Sequence, residues 1–292
     1  QEHQKDRFFG RDQEIHILTD KILANRLTLL VAASGVGKSS LLQAGVMPAL
    51  RTGSLMVDLI YHNDWTVNPT RDLKENIVRH YIRQQRINPD YNADLEQPLD
   101  QFLRVHSLLG NGTLIILLDQ FEEFFYYQRF SKQRLQFIQE LAAAIRDTQS
   151  PTVFVFSMRE DFAMEMEAFK TWLPGIFDNI YRIEKLSLEA ARQAITSPVA
   201  ALGFAYQPEL IEQLLTDLGQ RERQERLDLK QTEQQQEAPL LVEPPHLQIV
   251  CQELWLHGNT AQDRIITTTL YKDLGRAGGI LDRYFKSKNG QA

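Results

Sequence analysis

The chain contains one cysteine, Cys251, in 292 residues. That excludes an internal disulfide and the stapled class of small secreted folds. Its longest apolar runs, Leu27 to Ala33 and Leu114 to Leu118, fall far short of the ~20 residues needed to cross a bilayer, so no spanning helix is expected. Basic residues are outnumbered, 32 Lys and Arg against 38 Asp and Glu, for a formal charge of -6. A protein whose main work is gripping phosphate backbones would show the opposite balance, and nucleic acid is not the expected partner. The N-terminus lacks a basic segment leading into an apolar stretch, which together with the lone thiol makes the cytoplasm the expected compartment. The histidines at 3, 16, 62, 80, 106, 246 and 257 form no metal-ligand spacing, and no internal repeat is visible. The chain opens on Gln1 rather than Met, so it is expected to be a piece of a longer protein.

What is present is an ordinary globular composition, 43% hydrophobic and 24% charged, with length enough for one large domain or two smaller ones. Five short β-rich runs are candidate strands: Leu27–Ala32, Leu55–Tyr61, Thr113–Leu118, Thr152–Ser157 and Asn179–Ile183. Between them apolar residues recur at helical spacing, as at Leu73, Ile77, Val78, Tyr81 and Ile82, and at Leu135, Ile138, Leu141, Ala142 and Ile145. Near-continuous apolar strands alternating with helices predict a mainly parallel sheet covered on both faces. This α/β domain is expected to span 1–185. From 186 to 292 only helical patterns remain, at Leu188–Ala201, Glu209–Leu218, Leu247–Leu256 and Ile280–Phe285, predicting a small helical domain. Residues 220–238 hold almost no large apolar side chain, so an exposed, mobile insertion is expected there. A second excursion is expected over 84–98.

The first strand runs into Ala32-Ala33-Ser34-Gly35-Val36-Gly37-Lys38-Ser39, followed by the helix-compatible Ser40-Leu41-Leu42. This fits G-x-x-x-x-G-K-[ST] except that Ala32 replaces the first glycine. Glycines are required where backbone N–H groups turn inward around phosphate oxygens ahead of a helix N-terminus. Gly35 and Gly37 supply that freedom. Lys38 would reach the β- and γ-phosphates, and the Ser39 hydroxyl would ligate Mg²⁺. Ala32 falls at the strand end, where its methyl group requires only a negative φ.

The third strand ends in Asp119, a carboxylate at the sheet edge where open α/β sheets bind ligands, and a candidate for holding a magnesium ion. Gln120 follows, where many hydrolytic P-loop proteins carry a glutamate. Glu122 or Glu123 would polarise water instead, although two glutamates opening a helix are also favoured by its dipole alone. The aromatic run Phe121, Phe124, Phe125, Tyr126, Tyr127 and Phe130 reads as packing or a partner contact. The fourth strand brings Ser157 and Arg159 to the same edge; Arg159 would sense the γ-phosphate, or pair with Glu160 or Asp161.

Phe8-Phe9-Gly10-Arg11-Asp12, the loop ending Gly37-Lys38-Ser39-Ser40-Leu41, Leu118-Asp119-Gln120-Phe121-Glu122-Glu123 and Arg159-Glu160-Asp161-Phe162 together resemble the nucleotide-binding core of STAND signal-transduction NTPases, in particular the bacterial novel-STAND branch. The similarity continues through Ile195-Thr196-Ser197-Pro198, Pro245-His246-Leu247-Gln248 and Gly278-Gly279-Ile280. The resemblance implies an AAA+-like P-loop fold with the sensor strand inserted between the loop strand and the acidic strand, ATP or ADP as ligand, and slow hydrolysis. It implies that Phe9, Gly10 and Arg11 lie along adenine and ribose, and that Pro245 closes over the base. It also implies self-association in the ATP state through the whole protein, with effector and trigger outside this chain. Two other readings stand beside it: a motor or loader ATPase on nucleic acid, which the acidic balance disfavours, and a small-molecule kinase, which would want an arginine-rich lid. Cys251, beside Leu247, Val250 and Leu254 on an apolar helical face, reads as a buried small residue rather than a nucleophile.

Overall fold

The computed structural model describes residues 8–53, 55–110, 112–230, 239–259 and 263–289. It divides into two compact units: Gln13–Ser34 with Lys38–Ile183, and Gln1–Asp12 with Gly35–Gly37 and Glu184–Ala292.

The first unit is built on a five-stranded parallel sheet. Helix α1 (Asp12–Ala24) precedes β1 (Leu27–Ala32), and after the loop come α2 (Lys38–Ser40), a widened π turn (Leu41–Val46) and α3 (Met47–Thr52). Then follow β2 (Val57–His62), α4 (Pro69–Arg83), α5 (Leu99–His106), β3 (Thr113–Leu118), α6 (Glu122–Tyr127), α7 (Gln133–Arg146), β4 (Thr152–Arg159), a 3-10 stretch (Glu160–Phe169) and β5 (Ile180–Ile183). Strand order is β2-β3-β4-β1-β5, with every adjacent pair parallel. The predicted strands are therefore all present, and β4 lies between β1 and β3 as the family resemblance implies. β1, β3 and β4 are buried almost throughout because a parallel sheet needs cover on both faces.

Helix α4 starts where Asn68 accepts a hydrogen bond from the Arg71 N–H and Pro69 sits at the first turn, satisfying the free donors of the helix end. It buries Leu73, Ile77, Val78 and Tyr81, the predicted face, while α7 buries Phe137, Ile138, Leu141, Ala142 and Ile145; here Leu135, expected on the buried face, is exposed and Phe137 takes its place. Residues 84–98 form no helix or strand. That excursion is tied down by Lys74, whose buried ammonium donates to the carbonyls of Leu95 and Gln97. Phe121 lies edge-on to Trp65 at 4.9 Å and to Phe156 at 4.6 Å, so the first part of the aromatic run is core. Tyr126, Tyr127 and Phe130 are exposed.

The second unit holds β6 (Leu186–Ser187), α8 (Leu188–Ala201), β7 (Ala205–Tyr206), α9 (Pro208–Lys230), β8 (Leu241–Val242), α10 (Pro244–Gly258), β9 (Ile265–Ile266), α11 (Thr268–Asp273) and α12 (Arg276–Asn289). Its core is Ile195, Leu210, Leu214, Leu218, Val250, Leu254, Tyr271 and Leu281, and its strands form two short ladders, β6 with β8 and β7 with β9. The expectation of a mobile excursion over 220–238 is corrected in its first half. Helix α9 continues through Lys230, and Glu222 is buried on it, paired with Lys185 at 3.0 Å. A polar composition hid this helix because ionic pairing rather than apolar area anchors it. Residues 231–238 lie outside the described residues. Cys251 packs against this core, and burial pushes its thiol up to about 12, as the non-nucleophilic reading requires. Among the described residues no helix is long and apolar enough to cross a membrane.

Candidate functional site

β1 delivers the loop. Ala32 is its last residue, in register with Arg159 on β4 and Ile183 on β5, and it is absent from the positive-φ positions, so its methyl group is tolerated. Gly35 and Gly37 turn the chain with φ of +78° and +99°, a region closed to most side chains. Lys38 opens α2 and is buried at 9% exposure. Desolvation lowers its pKa first of all; Glu122, Asp119 and Asp161 oppose that, and Arg159 adds to it. Ser39 is half-buried and Ser34 and Ser40 exposed.

Asp119 is fully buried at the end of β3. Its N–H donates to the His62 carbonyl, and its own carbonyl accepts the Trp65 indole N–H, both at 2.9 Å. The Tyr61 hydroxyl donates to Oδ2 at 2.6 Å. Oδ1 is buried without a hydrogen-bond partner, as are the Ser157 hydroxyl and His62 Nε2. Orphaned buried acceptors are rare in folded proteins, and an unpartnered carboxylate oxygen at the carboxyl end of a parallel strand suits a hard cation. The residues present therefore fit a magnesium ion held by Ser39, Asp119 and ligand oxygens. Among the described residues no group of three or more His, Cys, Asp or Glu could hold a metal unaided.

Gln120 adopts φ of +52°, a left-handed conformation that directs the chain from β3 into α6. Phe121 N–H donates to the Ser157 carbonyl at 2.9 Å, so the turn is stitched to β4. Glu122 Oε2 accepts the Arg159 N–H at 3.2 Å. Glu123 is half-buried, and its pKa is raised by burial first and then by Glu122, Asp119 and Asp64. The two adjacent glutamates thus differ in surroundings: one accepts from the β4 backbone, and the carboxyl of the other is shifted upward.

Arg159 reaches the predicted edge, but its guanidinium forms a two-point pair with Asp161, at 3.0 and 2.6 Å, and lies over the Phe162 ring. The ion-pair reading is the one realised. Arg11, which the family resemblance implies lies along adenine and ribose, is held by backbone carbonyls. It is buried at 5% exposure and donates to the backbone carbonyls of Val36 and Glu184, at 3.4 and 2.8 Å. Its side chain braces the loop backbone. Gly10 has φ of +80°, and a Cβ there would stand 2.3 Å from the Ala190 carbonyl, so close approach demands glycine. Phe9 is half-buried. Pro245 is exposed at the start of α10, with its ring 3.4 Å from where a Cβ on Gly35 would be. Sequence reasoning missed Tyr61, His62 and Trp65. Their signal is a polar, aromatic end to a strand otherwise apolar, and only the pairing of β2 with β3 reveals what they touch.

A left-handed glycine loop between a central strand and a helix, with a buried lysine beside a carboxylate at the end of another strand of the same sheet, defines a P-loop NTPase. The same fold appears in solved structures. The Walker-type ATPase paby2304 of Pyrococcus abyssi matches at 15% identity and a TM-score of 0.55, over 97% of this chain and 73% of that one. Cdc6p of Pyrobaculum aerophilum matches at 13% and 0.53, over 91% and 63%. A chain of the E. coli MS115-1 HORMA:CdnC:Trip13 complex matches at 11% and 0.52, over 96% and 89%. No curated protein sequence matches. The chain belongs to the novel STAND NTPase 1 family, whose model matches residues 1–287. It is an NTPase module, and the family resemblance drawn from its motifs holds.

Proposed function

We propose that this chain is the ATP- and ADP-binding switch module of a larger STAND signalling protein, in which slow hydrolysis controls domain arrangement and assembly in prokaryotic signalling or defence within the cytoplasm. The observation that carries the reading is a buried, desolvated Lys38 within the electrostatic reach of a carboxylate, Asp119, that keeps one oxygen unspent. Lys38 binds the β- and γ-phosphates as a point charge, and the N–H groups of Gly35 to Ser39 surround them. Ser39 and Asp119 would hold Mg²⁺, which supplies charge neutralisation between the phosphates. Glu123, kept basic by burial and its acidic neighbours, takes the proton of an attacking water. Gln120, at the position where a hydrolytic glutamate often stands, favours a slow reaction. Arg159 leaves Asp161 for the γ-phosphate when ATP replaces ADP, giving the two nucleotides the different contacts that a switch requires. Phe9 and Pro245 border the base, and the ATP form self-associates through the whole protein. The formal charge of -6 weighs against the loader or nucleic-acid motor reading.

The test is to denature the purified protein, identify any released nucleotide, and titrate the stripped protein with ADP, ATP and GTP with and without Mg²⁺. Lys38→Ala should weaken ADP binding by about 100-fold or more, about 3 kcal/mol, without lowering stability, because the deleted charge is one that burial disfavours. Equal affinity in the variant, or no binding of any nucleotide by the wild type, overturns the proposal.

A further inference from the structure

Tyr61 stands against the carboxylate expected to hold the cation. Its hydroxyl gives its single proton to Asp119 Oδ2 at 2.6 Å. That bond commits one carboxylate oxygen to β2 and sets the plane of the other. Asp119 keeps Oδ1 unpartnered in a fully buried setting. One hydroxyl thereby fixes the orientation of the carboxylate and leaves its unused acceptor over.

The support behind Tyr61 is rigid. Its backbone carbonyl accepts the Asn76 amide at 2.8 Å, and its residue in β2 is in register with Leu117 in β3. The next residue, His62, takes the Asp119 N–H on its carbonyl.

We infer that Tyr61 is a positioning residue for the divalent cation: by holding Asp119 Oδ2 it presets the carboxylate with Oδ1 free, and so determines how much Mg²⁺ strengthens nucleotide binding. The inference rests on the nucleotide-binding reading of the loop and adds to it a residue outside every phosphate-loop motif. Groups that orient metal ligands typically change metal affinity by 10- to 100-fold when removed.

The experiment is a titration of the full chain with a fluorescent ADP analogue at fixed Mg²⁺ steps from zero to saturation, on wild type, Tyr61→Phe and Gln43→Leu, with Mn²⁺ binding followed by electron paramagnetic resonance in the presence of ADP. Tyr61→Phe should raise the Mg²⁺ concentration giving half-maximal tightening, and the Mn²⁺ dissociation constant, roughly 10-fold or more. It should leave affinity in EDTA within twofold, which a general loss of structure would not. Gln43→Leu leaves the Tyr61–Asp119 bond in place and should have the smaller effect. In an Asp119→Asn background Tyr61→Phe should add little, because the carboxylate it orients is already gone. Unchanged Mg²⁺ and Mn²⁺ dependence in Tyr61→Phe overturns the inference while leaving nucleotide binding intact, as does wild-type binding that ignores Mg²⁺. Absence of any nucleotide binding by the wild type overturns the underlying reading and this inference with it. Should Tyr61→Phe fold poorly, Tyr61→His, which retains a ring and a donor, should restore part of the Mg²⁺ effect, and an affinity in EDTA that also collapses counts against the inference.

Discussion

The two ends of the parallel sheet are built on opposite terms. At the end where the strands begin, buried polar groups are bonded to one another. Arg26 donates to the carbonyls of Ala144, Ile145, Asp147 and Ser150. Asp58 is paired with Arg86 at 2.8 Å and faces His80 at 3.7 Å. Arg104 holds Asp147, and Ser150 joins Ser107 and Thr152. The Tyr81 hydroxyl, on the last turns of α4, is the exception there. At the end where the strands finish, Asp119 Oδ1, the Ser157 hydroxyl and His62 Nε2 have no partner, and Gln120 is held in a conformation that a side chain resists. The first end is saturated and stabilises the unit. The second retains unspent bonding capacity, the condition for binding something else.

This contrast can be broken from the saturated end. Asp58→Asn leaves the Arg86 guanidinium without its carboxylate in a buried site, and should lower unfolding free energy by about 3 kcal/mol, read as a lower denaturant midpoint. Nucleotide affinity of the folded protein should stay within twofold; a larger change would mean the two ends are coupled. From the other end, acid should act through His62, whose pKa burial depresses to about 4 from 6.5. The unfolded chain then takes up a proton before the folded one does. Stability from this group is full above pH 6.5 and declines as pH falls from 6.5 toward 4, with a loss of about 2 kcal/mol by pH 5. His80 and His106 are shifted in the same direction by burial, so the share of His62 is the difference between wild type and His62→Gln in melting temperature against pH. A difference that does not depend on pH would refute it. The smallest expected effect sharpens the comparison most. Gln120→Gly removes the resistance to a positive φ and should raise stability by about 1 kcal/mol, measured by denaturant unfolding; a loss of stability would show that the Gln120 side chain makes up for its backbone.

Much of this was legible beforehand, for identifiable reasons. The five strands announce themselves because each must be apolar on both faces, and Gly35, Gly37 and Lys38 stand in a spacing that phosphate geometry imposes. The α9 extension was missed because its anchor is the pairing of Lys185 with Glu222 and Glu243, residues 37 and 58 positions apart, which no local pattern records. What Arg11 touches was hidden for a similar reason: a guanidinium serves a phosphate, a base or a carbonyl equally well, and only the fold shows that it holds the carbonyls of Val36 and Glu184. Tyr61 was invisible because its meaning comes from its neighbour across the sheet.

The indole that holds the Asp119 carbonyl has an optical consequence. Trp65 is fully buried among Phe121, Phe124 and Phe137, and its N–H is bonded to the backbone of the residue expected to meet the cation. Its emission is therefore blue-shifted and sensitive to the strength of that one bond. Trp172 and Trp255 are only half-buried and lie on other elements, so selective quenching of the exposed indoles leaves a native signal from the acidic strand end. The protein carries its own reporter of what happens there, with no label attached.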